Sequence, residues 1–419
     1  MFQNLRKSGV GRLPRPFWML WVGTLINRLG QFVVPFFALY LTSVRGLSVS
    51  QAALVVSLYG MGAFASSLSG GLLADSIGRR ATMVLSMTLA AVMTFIFSWL
   101  TSLWLIAFLA VPLGYCIELY RPAASAAIAD IVPVEERVRA FGLIYWAINV
   151  GASVAPILAG LVLNISFQIL FVVDALTSLV FAGLIAWGVP ETRVSPEEQH
   201  DYVSGVREKA GLWSALRDIR LLAYAALACL FACVYFQYSV TLPLDMRLHG
   251  LGSEQYGLVI AINGIIIVLV SVPVSHIVTR FPRALVLTCS SFLMGIGFGL
   301  VAFWHILPWY AFTVIIWTFG ELLGSPVTSA LVADLAPQRL RGTYQGVYGM
   351  AWGLASFVAP VLGGAIFEHL GTQVLWGGCF VIGVLIACGY LLLSRVSARR
   401  EQARIPRPME GNVPEQATS

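Results

Sequence analysis

Charge is what this 419-residue chain has least of: Asp, Glu, Lys and Arg together make up 11% of it, about half the share in an ordinary soluble domain. A water-soluble protein of this length could not cover its surface with so few charges, which excludes the soluble classes. Pairing motifs are missing as well. The six cysteines (Cys116, Cys229, Cys233, Cys289, Cys379, Cys388) lie in or beside apolar runs and make no paired CxxC pattern, so they read as small packing residues. The five histidines form neither HxxxH nor HExxH, and no metal site or cofactor is expected. A GxxxxGK[ST] loop is absent, so ATP is not the energy source within this chain. Nor is there a nucleophile–base constellation of the kind an enzyme needs.

What is present is apolar sequence: 58% of residues are hydrophobic and the mean hydropathy is +0.83. A bilayer crossing takes about 20 mainly apolar residues. That window finds twelve candidates, at 17–41, 52–74, 81–99, 103–129, 141–164, 167–189, 221–243, 256–278, 284–305, 308–333, 345–367 and 373–394. They are too long for barrel strands and lack period-2 alternation. The first is no cleavable signal, because it is too long and carries Asn27 and Arg28 at its middle. The expected fold is therefore all-α, with twelve transmembrane helices.

Basic residues give the orientation. Arg6, Lys7, Arg12 and Arg15 precede span 1, Arg79 and Arg80 follow span 2, and Arg137 and Arg139 follow span 4. Arg280 and Arg283 follow span 8, Arg339 and Arg341 follow span 10, and more lie in the middle loop and tail. If all twelve spans cross, these fall on one side, and Arg45 and Arg247 alone stand on the other. The positive-inside rule then makes both termini and the middle loop cytoplasmic, in a cell inner (plasma) membrane. The net charge of +6 is explained without nucleic acid, since no basic stripe gathers on a polar domain.

A shift of 204 residues aligns the two halves without a gap. Pro122, Ser125, Ala126, Ala129, Asp130, Pro133 and Arg137 fall on Pro326, Ser329, Ala330, Ala333, Asp334, Pro337 and Arg341. Further along, Gly142, Ala155, Pro156 and Gly160 meet Gly346, Ala359, Pro360 and Gly364. Six spans per copy make a parallel repeat about an axis along the membrane normal. Two such bundles facing each other enclose a central cavity, which points to a transporter. The expected divisions are a cytoplasmic segment at 1–16, six-helix bundles at 17–189 and 221–394, a middle loop at 190–220 and a disordered tail at 395–419.

Between spans 2 and 3 stands Gly71-Leu-Leu-Ala-Asp75-Ser-Ile-Gly78-Arg79-Arg80. It resembles the GxLaDrxGRr signature of the major facilitator superfamily, and the spans, middle loop and repeat extend the likeness over nearly the whole chain. Span 5, with Ala155-Pro156 and Ala159-Gly160, is similar to the gxxxGPxxGG pattern of drug:proton antiporters, though two of its glycines are alanine. Span 4 departs from that group, having Ala110 where it carries arginine. The resemblance implies a monomeric, proton-coupled alternating-access transporter of small organic solutes. Efflux of amphipathic drug-like compounds is the first reading; uptake of a sugar, peptide or organic anion by proton symport is the alternative, and a non-transporting receptor the rival class. It also implies a gate at the cytoplasmic rim from Gly71, Asp75, Gly78, Arg79, Arg80 and Asp130. In the second copy Thr279 replaces Asp75 and Pro282 replaces Gly78, so only the first copy is expected to carry the gate.

Charges inside a bilayer are costly and need a reason. Five qualify: Arg28, Glu118, Arg121, Asp174 and Glu321. Glu118 and Arg121 share a helix face at i, i+3. Glu118 is the first candidate for the coupling proton and Glu321 the second; Asp174 stands nearer the outer end. The cavity is expected to be lined by Asn27, Arg28, Gln31, Arg121, Tyr145, Asn149, Gln237 and Tyr238, with Trp146, Tyr235 and Asn263 as further polar and aromatic groups.

Overall fold

The structure is a computed structural model, and it describes residues 13–31, 40–41, 45–46, 49–163, 167–193 and 212–404. Among these all regular structure is helical, and eleven helices are long and apolar enough to cross a membrane. Span 1 is described as a helix over Arg15–Gly30; its second half, 32–39, lies outside the described residues. Large apolar side chains face outward along the spans, among them Leu269, Phe357 and Leu385. Exposed tryptophans mark the two ends: Trp187 and Trp213 at the arginine-rich (basic) end, Trp99, Trp104 and Trp304 at the opposite end. This is the amphipathic ring pattern of a bilayer interface.

Two spans are broken where the sequence reads them as continuous. Span 4 consists of Leu103–Glu118 and Tyr120–Ile131. Pro122 has no N–H for the Glu118 carbonyl one turn back, so the ladder is interrupted there. Its repeat partner Pro326 stays inside one helix, Leu307–Leu335. Span 7 consists of Ile219–Tyr235 and Gln237–Leu248. The first of these is capped by Asp218, which accepts from the Arg220 and Leu221 amides. The middle loop is not wholly irregular: Leu212–Arg217 is a short helix. The last helix, Thr372–Arg404, runs past residue 395, where the sequence reading places the start of a disordered tail; residues 405–419 lie outside the described ones.

Helices in a bilayer gain no hydrophobic drive from one another, so they associate where small residues allow close packing. The tightest crossing between the halves joins span 2 (Val49–Ser76) to span 11 (Arg341–His369). A Cβ on Gly71 would overlap the carbonyl of Gly342, and one on Gly346 would meet the Ser67 carbonyl. The repeat-related crossing of span 5 on span 8 is more crowded, since Val138 stands at the place of Gly342 and Ser275 at that of Gly71. The core of the second half is aromatic, with Phe298 stacked on both Trp317 (5.4 Å) and Trp376 (6.1 Å).

These contacts predict a graded response to one added methyl. Gly71→Ala should destabilise the purified chain by about 1–3 kcal/mol, the usual cost of overpacking. Gly183→Ala, where nothing lies within 4 Å, should leave thermal unfolding in detergent unchanged.

Candidate substrate cavity and basic rim

At the basic end the two halves exchange charged side chains. Asp130 of span 4 receives Arg79 of its own half at 3.1 Å and Arg341 of the other half. The repeat partner Asp334 receives Arg283 of its own half and Arg137 of the other. Every member of one triad is 204 residues from its counterpart, so the network obeys the repeat. This corrects the expectation that the second copy lacks it: the degenerate motif loses an aspartate and a glycine but keeps the arginine that matters for the triad. The missed signal was the Asp130/Asp334 and Arg137/Arg341 equivalence, visible in the alignment.

Asp75 is where the halves differ. Its carboxylate accepts from the Gly342 amide (3.0 Å) and from the Thr343 amide and hydroxyl (both 2.7 Å). It thus satisfies free amides at the start of the span 11 helix, where a negative charge is favoured by the dipole. Arg79 also pairs with Asp75 at 3.2 Å. On the other seam Thr279 replaces this acid, and Arg139 turns back to Glu136 at 3.2 Å. Gly78 adopts a positive φ of 111°, and the Glu191 carboxylate occupies the space a side chain there would fill. Glu191 accepts from the Arg79 amide at 2.7 Å and caps span 3, a role its place in a polar loop gave no sign of. Arg80 instead reaches the Ala186 carbonyl at the end of span 6.

Between the halves lies a cavity of about 540 Å³, within the size range of small-molecule sites. Glu118, Arg121 and Tyr145 line it from the first half; Phe236, Tyr348 and Trp352 line it from the second. Glu118 and Arg121 form an ion pair, with the Arg121 side chain half-exposed. Serine hydroxyls from both halves, such as Ser125 and Ser329, add hydrogen-bonding groups. The wall therefore combines aromatic rings, serine hydroxyls and one ion pair.

Glu321 is different. It is buried, and its carboxylate accepts from Tyr145 Oη at 2.6 Å and Asn263 Nδ2 at 3.1 Å. Among the described residues no Lys or Arg pairs with it. Tyr145 belongs to the first half and Glu321 to the second, so this hydrogen bond spans the two bundles beside the cavity.

Other residues expected in the cavity lie elsewhere. Arg28 is buried, bonded to Gln31 and to Tyr120 Oη. Asn27 donates to Ser178 at 3.0 Å, joining spans 1 and 6. Asn149 donates to the Tyr145 carbonyl within its own helix. Gln237 donates to the Ala359 carbonyl at 3.1 Å, in space left by Gly363. Tyr238 stacks on Trp317. Asp174 is buried in span 6. Of the eight expected lining residues, Arg121 and Tyr145 are the ones that line the cavity; helical periodicity alone does not say whether a polar residue meets a neighbouring helix or an opening. Asp245, at the end of span 7, is wholly buried and was not among the embedded charges expected.

The two triads should differ in sensitivity. Asp130 is 2% exposed and Asp334 19%. Asp130→Asn leaves two arginines facing a neutral group and should cost about 3–5 kcal/mol. Asp334→Asn should cost less than half of that, because water reaches Asp334 itself and screens Arg283, which is 33% exposed; thermal unfolding of both variants in detergent measures the difference.

Known proteins share this fold. The sequence profile described as Major Facilitator Superfamily matches residues 20–320 and again 238–415. An MFS-type transporter of Bacillus subtilis, YqjV, is 28% identical over 373 residues, covering 85% of this chain and 87% of its own. A Na(+), Li(+), K(+)/H(+) antiporter of Planococcus maritimus is 26% identical, covering 78% and 84%. The multidrug resistance protein MdtH of Escherichia coli is 22% identical, covering 91% and 96%. The solved structure of the proton:xylose symporter XylE superposes with a TM-score of 0.69 at 16% identity, over 89% of this chain and 94% of that one. With eleven described helices long and apolar enough to span, its tandem halves and a profile match along most of its length, the chain belongs to the major facilitator superfamily: it is a multi-span membrane transporter of small-molecule solutes and not an enzyme.

Proposed function

We propose that this transporter is proton-coupled and exports amphipathic organic solutes across a cell inner membrane by alternating access, as a monomer with its basic end in the cytoplasm. The observation that carries the reading is the Tyr145–Glu321 hydrogen bond between the halves. A buried carboxylate held only by neutral donors is one whose charge a proton can remove, and its donor set changes whenever the halves rock. Each state then has its own proton affinity, which is what coupling requires. Glu118 already has a counter-charge in Arg121, so the geometry favours the reverse of the order read from sequence: Glu321 carries the proton and Glu118 meets the substrate.

Support for export is the aromatic, serine-lined cavity together with the likeness to a multidrug resistance protein and to a cation/proton antiporter. The half-exposed Arg121 favours one second reading, an organic anion as substrate. In the proposed cycle the contacts of Asp75, Arg79, Arg80 and Asp130, with the glycines Gly71 and Gly78, close the cytoplasmic rim.

Reconstitution in liposomes with an imposed pH gradient and a fluorescent amphipathic cation tests the reading. Glu321→Gln should abolish accumulation against the gradient while retaining exchange at equal pH, and Glu118→Gln should chiefly weaken substrate affinity. Accumulation undiminished in Glu321→Gln would return the coupling role to Glu118. Asp75→Asn can no longer satisfy the three donors of Gly342 and Thr343 with a carboxylate. It should slow transport about tenfold, equivalent to about 1.4 kcal/mol, with substrate binding unchanged. A wild-type rate would remove Asp75 from the gate.

A further inference from the structure

We infer that the end of the second half opposite the basic rim holds a binding site for a first-row divalent transition ion of the zinc type, formed by Asp245, His249 and His305. The linear sequence hides it. Asp245 and His249 are four residues apart at the end of the helix Gln237–Leu248, hence on one face. His305 arrives from the connection between spans 9 and 10, about 60 residues further on. The fold brings one ligand atom from each within 4.8 Å of the others.

Three features go beyond proximity. Asp245 is 0% exposed, and its Oδ1 has no hydrogen-bond partner among the described residues, nor does the buried Nε2 of His305. Two buried polar atoms left without partners are costly, and a single cation satisfies both when the imidazole presents its Nε2 lone pair. The charge of Asp245 has no Lys or Arg partner among the described residues, with the His249 ring at 3.9 Å as its nearest basic group. The two imidazoles lie face to face, 3.6 Å between centroids and 13° from parallel, an arrangement that two imidazolium cations would oppose.

The supporting contacts match those around known metal ligands. His249 Nδ1 lies 2.8 Å from the Asp245 carbonyl; donation there leaves the Nε2 lone pair for coordination. The other carboxylate oxygen, Oδ2, accepts from the hydroxyl of Tyr310, which orients the ligand from behind. Two imidazoles and one carboxylate suit zinc, cobalt, nickel or copper rather than magnesium or calcium. Ligands at about 2.0–2.2 Å from an ion must draw closer than they now stand. His249 is exposed, so it has the freedom to turn onto the ion, and its side provides the entry path. An ion here ties the last turn of span 7 to the connection leading into span 10.

Calorimetric titration of the tag-free, chelator-stripped full chain in detergent with zinc chloride tests this without any transport assay. The expected result is saturation at one ion per chain, with a rise in the melting temperature. His249→Gln and His305→Gln should each weaken binding at least about tenfold, and Tyr310→Phe by about 10–100-fold, the usual effect of losing an outer-shell partner. Because His249 is exposed, its substitution tests the site even where changes at Asp245 prevent folding. Absence of saturable binding, or binding that persists in the His249→Gln/His305→Gln double variant, would overturn the site.

Discussion

A carboxylate surrounded by arginines from both halves is the interaction on which this structure turns. Asp130 and Asp334 each hold one arginine of their own bundle and one from the opposite bundle. Around the buried Asp130 an arginine left without its partner carries a large penalty, and around the more open Asp334 a smaller one. The halves are therefore joined at the basic end by charges that need each other, and the close Gly71–Gly342 crossing sets them within reach. A contact of this kind is strong in place yet can be hydrated once the rim opens, which suits a joint that must be made and broken in the proposed cycle.

The repeat makes the joint nearly symmetric, and its departures from symmetry are informative. Both arginine–aspartate triads are present, but Asp75 and its three donors exist on one seam only. The seam that keeps the acid is also the one where Gly71 and Gly342 cross backbone to backbone. A carboxylate can accept backbone amides from a facing helix only if the backbones come close; at the matching places on the other seam stand Ser275 and Val138.

Inside the bundle, two carboxylates are managed in opposite ways. Glu118 shares a helix face with Arg121 and meets the cavity as half of an ion pair. Glu321 is held by a tyrosine and an asparagine from two other helices, one of them across the halves. The first arrangement is local and survives any rigid-body motion of its own bundle. The second depends on how the bundles sit. Only the second changes when the bundles move, which is why the proposed coupling role falls to Glu321.

Composition, the spacing of apolar runs and the 204-residue repeat were enough to determine a membrane-embedded, two-bundle helical transporter, because burial of apolar length and backbone satisfaction in a bilayer leave few other solutions. Glu118–Arg121 was equally legible, since i, i+3 neighbours meet on any helix. Contacts between distant segments were not. Nothing local in the chain says that Tyr145 reaches Glu321, that Glu191 fills the space beside Gly78, that Arg28 and Gln237 pack between helices instead of facing the cavity, or that His305 stacks on His249. Each depends on helix rotation and on which spans adjoin, and small residues spread over several helices decide those together. The tertiary structure alone settled them.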